Sequence, residues 1–136
     1  MGKHDKWSEK DKLKRLPNPD PDGYEIRMEI PELTFMGVKQ QPDFGHLTLV
    51  FYPADWIIEL KALKEYVVAF RSKVISYERL INVIYEDLVA VYEPARLRLV
   101  ADLRPRGGIS SRLVIDSDWG CRGGKEEFGD WKRMEG

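Results

Sequence analysis

One cysteine and two histidines occur in the 136 residues, so neither an intrachain disulfide nor a cysteine-built zinc cluster is open to the chain. No apolar run approaches the roughly 18 to 20 residues that a membrane-spanning helix needs. A large surplus of either charge sign is missing too. The 22 lysines and arginines stand against 23 aspartates and glutamates, a net charge of −1, which gives no global field for gathering nucleic acid or an anionic membrane. The charged first residues have no apolar stretch behind them, unlike a secretory signal. These absences lead to the expectation of a cytoplasmic protein with no metal site, no nucleic acid and no membrane among its partners.

Apolar residues make up 43% of the chain and charged residues 33%, the balance of one ordinary globular domain. Residues 1–23 are densely charged and close on "LPNPDPDG", with three prolines and a glycine. Such a stretch buries little and reads as a flexible tail. The domain is expected over residues 24–117. "YEIRMEI" alternates Tyr24, Ile26, Met28 and Ile30 against charges, the period of a half-buried strand. "HLTLVFYP" sets Leu47, Leu49 and Phe51 against Thr48, Val50 and Tyr52, a second strand apolar on both faces, one of which is expected to meet another subunit or a helix layer.

The period then changes. Leu60, Leu63, Val67 and Phe70 form one helical stripe with Lys61, Lys64 and Glu65 away from it, and residues 77–93 repeat the pattern through Leu80, Ile81, Ile84, Leu88 and Val91 until Pro94. "ARLRLVADLRP" and "SSRLVIDS" alternate again as two more strands. Residues 118–136, with five glycines, read as a second flexible tail. The order ββ-αα-ββ predicts an α+β fold, an antiparallel sheet with both helices on one face. Two short helices leave a twisted four-stranded sheet partly uncovered, so self-association is expected.

Five fragments, "PNPDPDGYEI", "QPDF", "ELKALKEY", "YE" and "RGGI", stand in an order that resembles the QueF family, the NADPH-dependent 7-cyano-7-deazaguanine reductases of queuosine biosynthesis. The resemblance runs from about Leu16 to about Ile109. It implies a tunnelling fold (T-fold), whose protomers join sheets edge to edge into a β-barrel ring, with two stacked pentamers as the homo-oligomer and active sites between subunits.

The same resemblance assigns residues. Glu78 matches the substrate-binding glutamate, whose carboxylate accepts two parallel N–H bonds from a 7-deazaguanine base; read alone, it is a first-turn helix glutamate favoured by the macrodipole. Glu59, Lys61 and Lys64 of "ELKALK" match the cofactor motif, with the two ammonium groups placed for NADPH phosphates; read alone, the lysines are a solvated helix surface. Arg106 adds a cation where Gly107 and Gly108 let backbone approach a ligand, or marks a plain glycine hairpin. Asp43 matches the proton donor, or is an Asx-turn residue after Pro42.

Two expected residues are absent. The family pattern resembles S-L-C-P-x-T-G-Q-P-D-F, with its nucleophilic cysteine seven residues before the aspartate, and here that position is Met36 in "TFMGVKQQPDF". A thiolate adds to a nitrile to give a covalent thioimide; a thioether does not. The residue before the glutamate, usually histidine, is Tyr77, whose ordinary pKa near 10 suits it poorly to proton transfer at neutral pH. Cys121 lies in a glycine-rich stretch as the chain's single thiol, and His46 reads as a strand-start surface residue. The resemblance thus leaves a reductase with NADPH beside a non-reducing paralogue for a deazaguanine- or pterin-like ligand, or a partner subunit of an active homologue.

Overall fold

The computed structural model describes residues 2–120. Four strands form one antiparallel sheet: β2 (Ile26–Met36), β3 (Pro42–Tyr52), β5 (Arg96–Arg106) and β6 (Ile109–Asp116), side by side in the order β2-β3-β5-β6. Two helices, α1 (Leu60–Val68) and α2 (Tyr77–Tyr92), cover one face. The expected ββ-αα-ββ order is therefore present. A second, two-stranded sheet joins β1 (Arg15–Pro17) to β4 (Trp56–Ile58), with Arg15 opposite Ile58.

Period two decides which strand residues enter the core. On β3, Leu47, Leu49 and Phe51 are fully buried, and Leu97 and Leu99 opposite them on β5 share that face. Tyr92 of α2 meets Phe51 edge-on at 6.0 Å between ring centroids. The other face is not the apolar surface the alternation suggested. Val50 and Val100 lie there among Arg27, Tyr52, Arg96 and Arg98, and long charged side chains bury Val50 to 6% exposure.

Helix α1 is rotated from the expected stripe. Leu60 is 64% exposed, and Ala62, Leu63 and Tyr66 are buried in its place. The chain tightens into a 3₁₀ turn over Ala69–Ser72, which buries Phe70 against Tyr66 at 5.1 Å. Ser76 caps α2 by accepting from the Arg79 N–H, and Glu93 ends it in the left-handed region at φ 45°.

Residues 5–17 do not form the expected tail. They run as two 3₁₀ turns, Asp5–Trp7 and Lys10–Lys12, and then β1. Few as its apolar groups are, the segment has specific anchors. Leu13 is buried, Trp7 lies under the Arg79 guanidinium at 4.1 Å, and Lys73 pairs with Glu9 at 2.6 Å. Its deepest anchor is Asp87 of α2, 4% exposed, which accepts from the Ser8 hydroxyl at 2.6 Å and the Tyr66 hydroxyl at 2.8 Å. Burial raises the Asp87 pKa, and the hydrogen bonds from Ser8, Tyr66 and the Glu9 N–H only partly oppose it. Tyr66→Phe is expected to cost about 1–3 kcal/mol, because Asp87 loses a donor it cannot replace with water. A lowered urea midpoint together with faster protease cleavage at the lysines of residues 10–14 checks this.

Asp118 also departs from the expected C-terminal tail, pairing with Arg96 at 3.3 Å. Cys121 and the rest of that tail lie outside the described residues.

Candidate active site

Three chain segments converge at one end of the sheet. The first is the β2–β3 hairpin, in which the Gly37 N–H donates to the Gln41 carbonyl at 2.8 Å and Gln40 takes the left-handed conformation at φ 61°. The second is the strand-like entry to α2. Met36 donates its N–H to the Lys73 carbonyl and accepts from the Ile75 N–H, each at 2.9 Å, so residues 73–75 lie alongside the end of β2 as a parallel bridge. That stitch fixes Tyr77 and Glu78 beside residue 36. The third is the end of β5, where Arg106 lies opposite Ile109 across Gly107 and Gly108.

Together they enclose a pocket of about 320 Å³ whose walls include Phe35, Gly37, Asp43, Tyr77, Glu78 and Arg106. Asp43 is 8% exposed and accepts from Arg106 Nη1 at 2.7 Å; Arg106 Nη2 also donates to Gln41 Oε1 at 3.3 Å. The pairing fixes the orientation of the carboxylate. A Cβ on Gly37 would stand 3.4 Å from both the Arg106 guanidinium and the Asp43 carboxylate, in ordinary contact with the pair. Glu78 is exposed in the first turn of α2, and its carboxylate has no hydrogen-bond or ion-pair partner among the described residues.

The four predicted residues Asp43, Tyr77, Glu78 and Arg106 therefore share one pocket. Met36 lies between its wall residues Phe35 and Gly37, held by its backbone. Among the other wall residues, Phe35 and Gly37 carry no sequence signal, and Gln41 carries one as the first residue of "QPDF". Arg106 was expected with the cofactor lysines, but within one chain it sits with Asp43 and Gln41 instead. Gly107 and Gly108 have positive φ, 61° and 83°, with nothing within 4 Å of where a Cβ would project. This is what a two-residue hairpin of the primed type requires, so turn geometry accounts for both glycines.

The cofactor motif forms a separate surface. Lys61 and Lys64 line a groove of about 860 Å³ beside α1. Neither makes an ion pair among the described residues. Glu59 does not line that groove. It caps α1, its carboxylate accepting from the Lys61 N–H at 3.1 Å and the Ala62 N–H at 3.0 Å. His46 lies away from the pocket, paired with Glu29 at 2.6 Å on the charged sheet face. Bonds from His46 and then Thr48 hold the Glu29 carboxyl below its usual range. No helix among the described residues is long and apolar enough to cross a membrane.

The antiparallel sheet and paired helices are found in a solved archaeosine synthase QueF-Like in its apo form, with a TM-score of 0.58 at 13% identity over 71% of this chain and 94% of that one. That likeness concerns the fold. A family model described as QueF-like protein matches residues 42–123, and the chain belongs to that family. Among its relatives is the NADPH-dependent 7-cyano-7-deazaguanine reductase of Thermomicrobium roseum (strain ATCC 27502 / DSM 5159 / P-2), 40% identical over 99 residues, 71% of this chain and 77% of the relative. Reductases of the same name from Synechococcus sp. (strain CC9902), 43% identical over 72% of this chain and 73% of the relative, and Thioalkalivibrio sulfidiphilus (strain HL-EbGR7), 40% over 79% and 87%, also match.

Proposed function

We propose that this chain is a QueF-like oxidoreductase of queuosine biosynthesis that reduces the nitrile of 7-cyano-7-deazaguanine to the aminomethyl group with NADPH. The observation that carries the reading is Glu78, a carboxylate with no partner among the described residues, in the wall of a small pocket that also holds the Asp43–Arg106 pair. Its two oxygens accept in parallel from the ring N–H and exocyclic amine of a guanine-like edge. Lys61 and Lys64 suit the phosphates of NADPH, being ammonium groups on one groove with no ion-pair partner among the described residues.

Bound NADPH supplies hydride, and the conversion of nitrile to amine takes two hydrides and two protons per base. Asp43, held by Arg106, is the residue placed to relay protons taken from water toward the nitrile nitrogen. Residue 36 does not hold the base covalently, since a methionine thioether forms no thioimide, and this distinguishes the reaction from the cysteine route of the family. The protein works as a cytoplasmic homo-oligomer of two stacked pentamers. Supporting this, β2 and β6 are the outer strands of the four-stranded sheet, and Ile109 on β6 is 71% exposed.

Titration of the wild type with the base and with NADPH, followed by intact-protein mass, tests the reading. Saturable binding of both at unchanged mass is the expected result, and binding of neither overturns it. A second reading, retention of a deazaguanine- or pterin-like base without reduction, is favoured by Met36 and Tyr77 standing where nucleophile and histidine are expected. Binding of the base without NADPH consumption would establish it.

A further inference from the structure

We infer that Lys12 and Lys14, from the segment ahead of β1, belong to the dinucleotide site and form one phosphate-binding groove with Lys61 and Lys64 of α1. The inference rests on the assignment of NADPH to those two α1 lysines. All four side chains line the same groove of about 860 Å³, with Val68 and Ala69 adding apolar wall.

The backbone of Lys14 is fixed beside the motif. Its carbonyl accepts from the Glu59 N–H at 3.2 Å and from the Tyr92 hydroxyl at 2.8 Å. Glu59 is the residue that caps α1, so one peptide joins the arm to the helix that carries Lys61 and Lys64. The β1–β4 pairing continues this register immediately beyond, and buried Leu13 closes it from the other side. The arm is therefore a built wall of the groove.

The charges support a phosphate ligand. Glu9, Asp11 and Glu65 also border the groove, so its four lysines less three carboxylates leave one net positive charge, and Glu9 is engaged by Lys73 at 2.6 Å and lies 3.6 Å from Lys12. Lys14, Lys61 and Lys64 have no ion-pair partner among the described residues. Ammonium groups on flexible stems act as movable point charges, suited to a diphosphate and a ribose phosphate at different distances along one ligand.

The test is NADPH binding, read by nicotinamide fluorescence at several salt concentrations, for the wild type and for Lys14→Ala, Lys12→Ala/Lys14→Ala, Lys61→Ala and Lys3→Ala. Lys14→Ala is expected to weaken binding about tenfold, as for loss of one charged contact. The double variant should weaken it further and flatten the salt dependence, Lys14→Arg should restore most of the affinity, and Lys3→Ala should bind like wild type. Lys14→Gln, which keeps much of the stem, guards against an effect through folding and is expected to match Lys14→Ala. Weakening by Lys61→Ala with no change in either arm variant overturns the inference and leaves the cofactor assignment standing. No NADPH binding by the wild type overturns both.

Discussion

Glu78→Ala is expected to lower affinity for 7-cyano-7-deazaguanine by at least about a hundredfold. Two hydrogen bonds to an ionised carboxylate are lost together, each contributing about 1.5–3 kcal/mol, and 1.4 kcal/mol is about tenfold in binding. Little else should change. Glu78 is exposed, its side chain holds no other group among the described residues, and its backbone carbonyl accepts from the Asn82 side chain at 2.8 Å. NADPH affinity should stay at the wild-type value, because the lysine groove has no wall residue in common with the Glu78 pocket. Glu78→Gln should fall between the two, since the amide keeps one acceptor and brings a donor against the base's own N–H groups. Calorimetric titration of the base into the three proteins checks the order. Wild-type affinity in Glu78→Ala would remove the carboxylate from base recognition.

The second large effect is on stability. Asp116 on β6 is fully buried and accepts from Arg96 at 2.7 and 3.2 Å, from Arg98 at 2.8 Å and from the Asp118 N–H at 3.0 Å. Asp116→Ala removes the carboxylate that Arg96 and Arg98 share and is expected to cost about 3 kcal/mol, the low end for breaking a buried pair, because both arginines keep some solvent and Arg96 keeps Asp118 at 3.3 Å. Burial alone would raise the Asp116 pKa. The bonds from Arg96, the Asp118 N–H and Arg98 outweigh it, and the folded value lies below the ordinary one.

The sign for Asp116 follows from linkage. The folded state binds its proton less readily than the unfolded chain, so this contribution is fully present above the unfolded value near 4 and is lost as pH falls through the folded value. Asp87 works in the opposite sense. Its raised pKa favours the protonated form in the fold, so it adds stability at low pH that is lost as pH rises through the folded value. Asp116→Asn should therefore flatten the acid limb of unfolding midpoint against pH, and Asp87→Asn should not. An unchanged acid limb in Asp116→Asn would contradict the buried cluster.

The strands were legible because alternation of Leu47, Leu49 and Phe51 reports burial of one sheet face directly, and that face is where the helices lie. The orientation of α1 was not. Leu60–Leu63–Val67 and Ala62–Leu63–Tyr66 are adjacent stripes of similar apolarity, and the choice falls to Tyr66 because its hydroxyl finds Asp87. The arm over residues 5–17 was misread for a related reason. Its composition is charged, but Ser8, Glu9 and Leu13 each meet a partner far along the chain, which no local window contains. In the site, the residues of "QPDF" and "YE" were legible as a resemblance. The Asp43–Arg106 pair spans 63 residues of sequence and depends on the register of β3 against β5, so neither motif announced it.

The most direct measurement mixes the wild-type protein with 7-cyano-7-deazaguanine and NADPH and follows the nicotinamide absorbance, with Glu78→Ala and Met36→Cys beside it. The expected result is loss of two NADPH per base by the wild type at unchanged protein mass, none by Glu78→Ala, and a covalent base adduct only in Met36→Cys. A flat trace from a wild type that binds both ligands, with consumption appearing only in Met36→Cys, would contradict reduction without a thiol at residue 36.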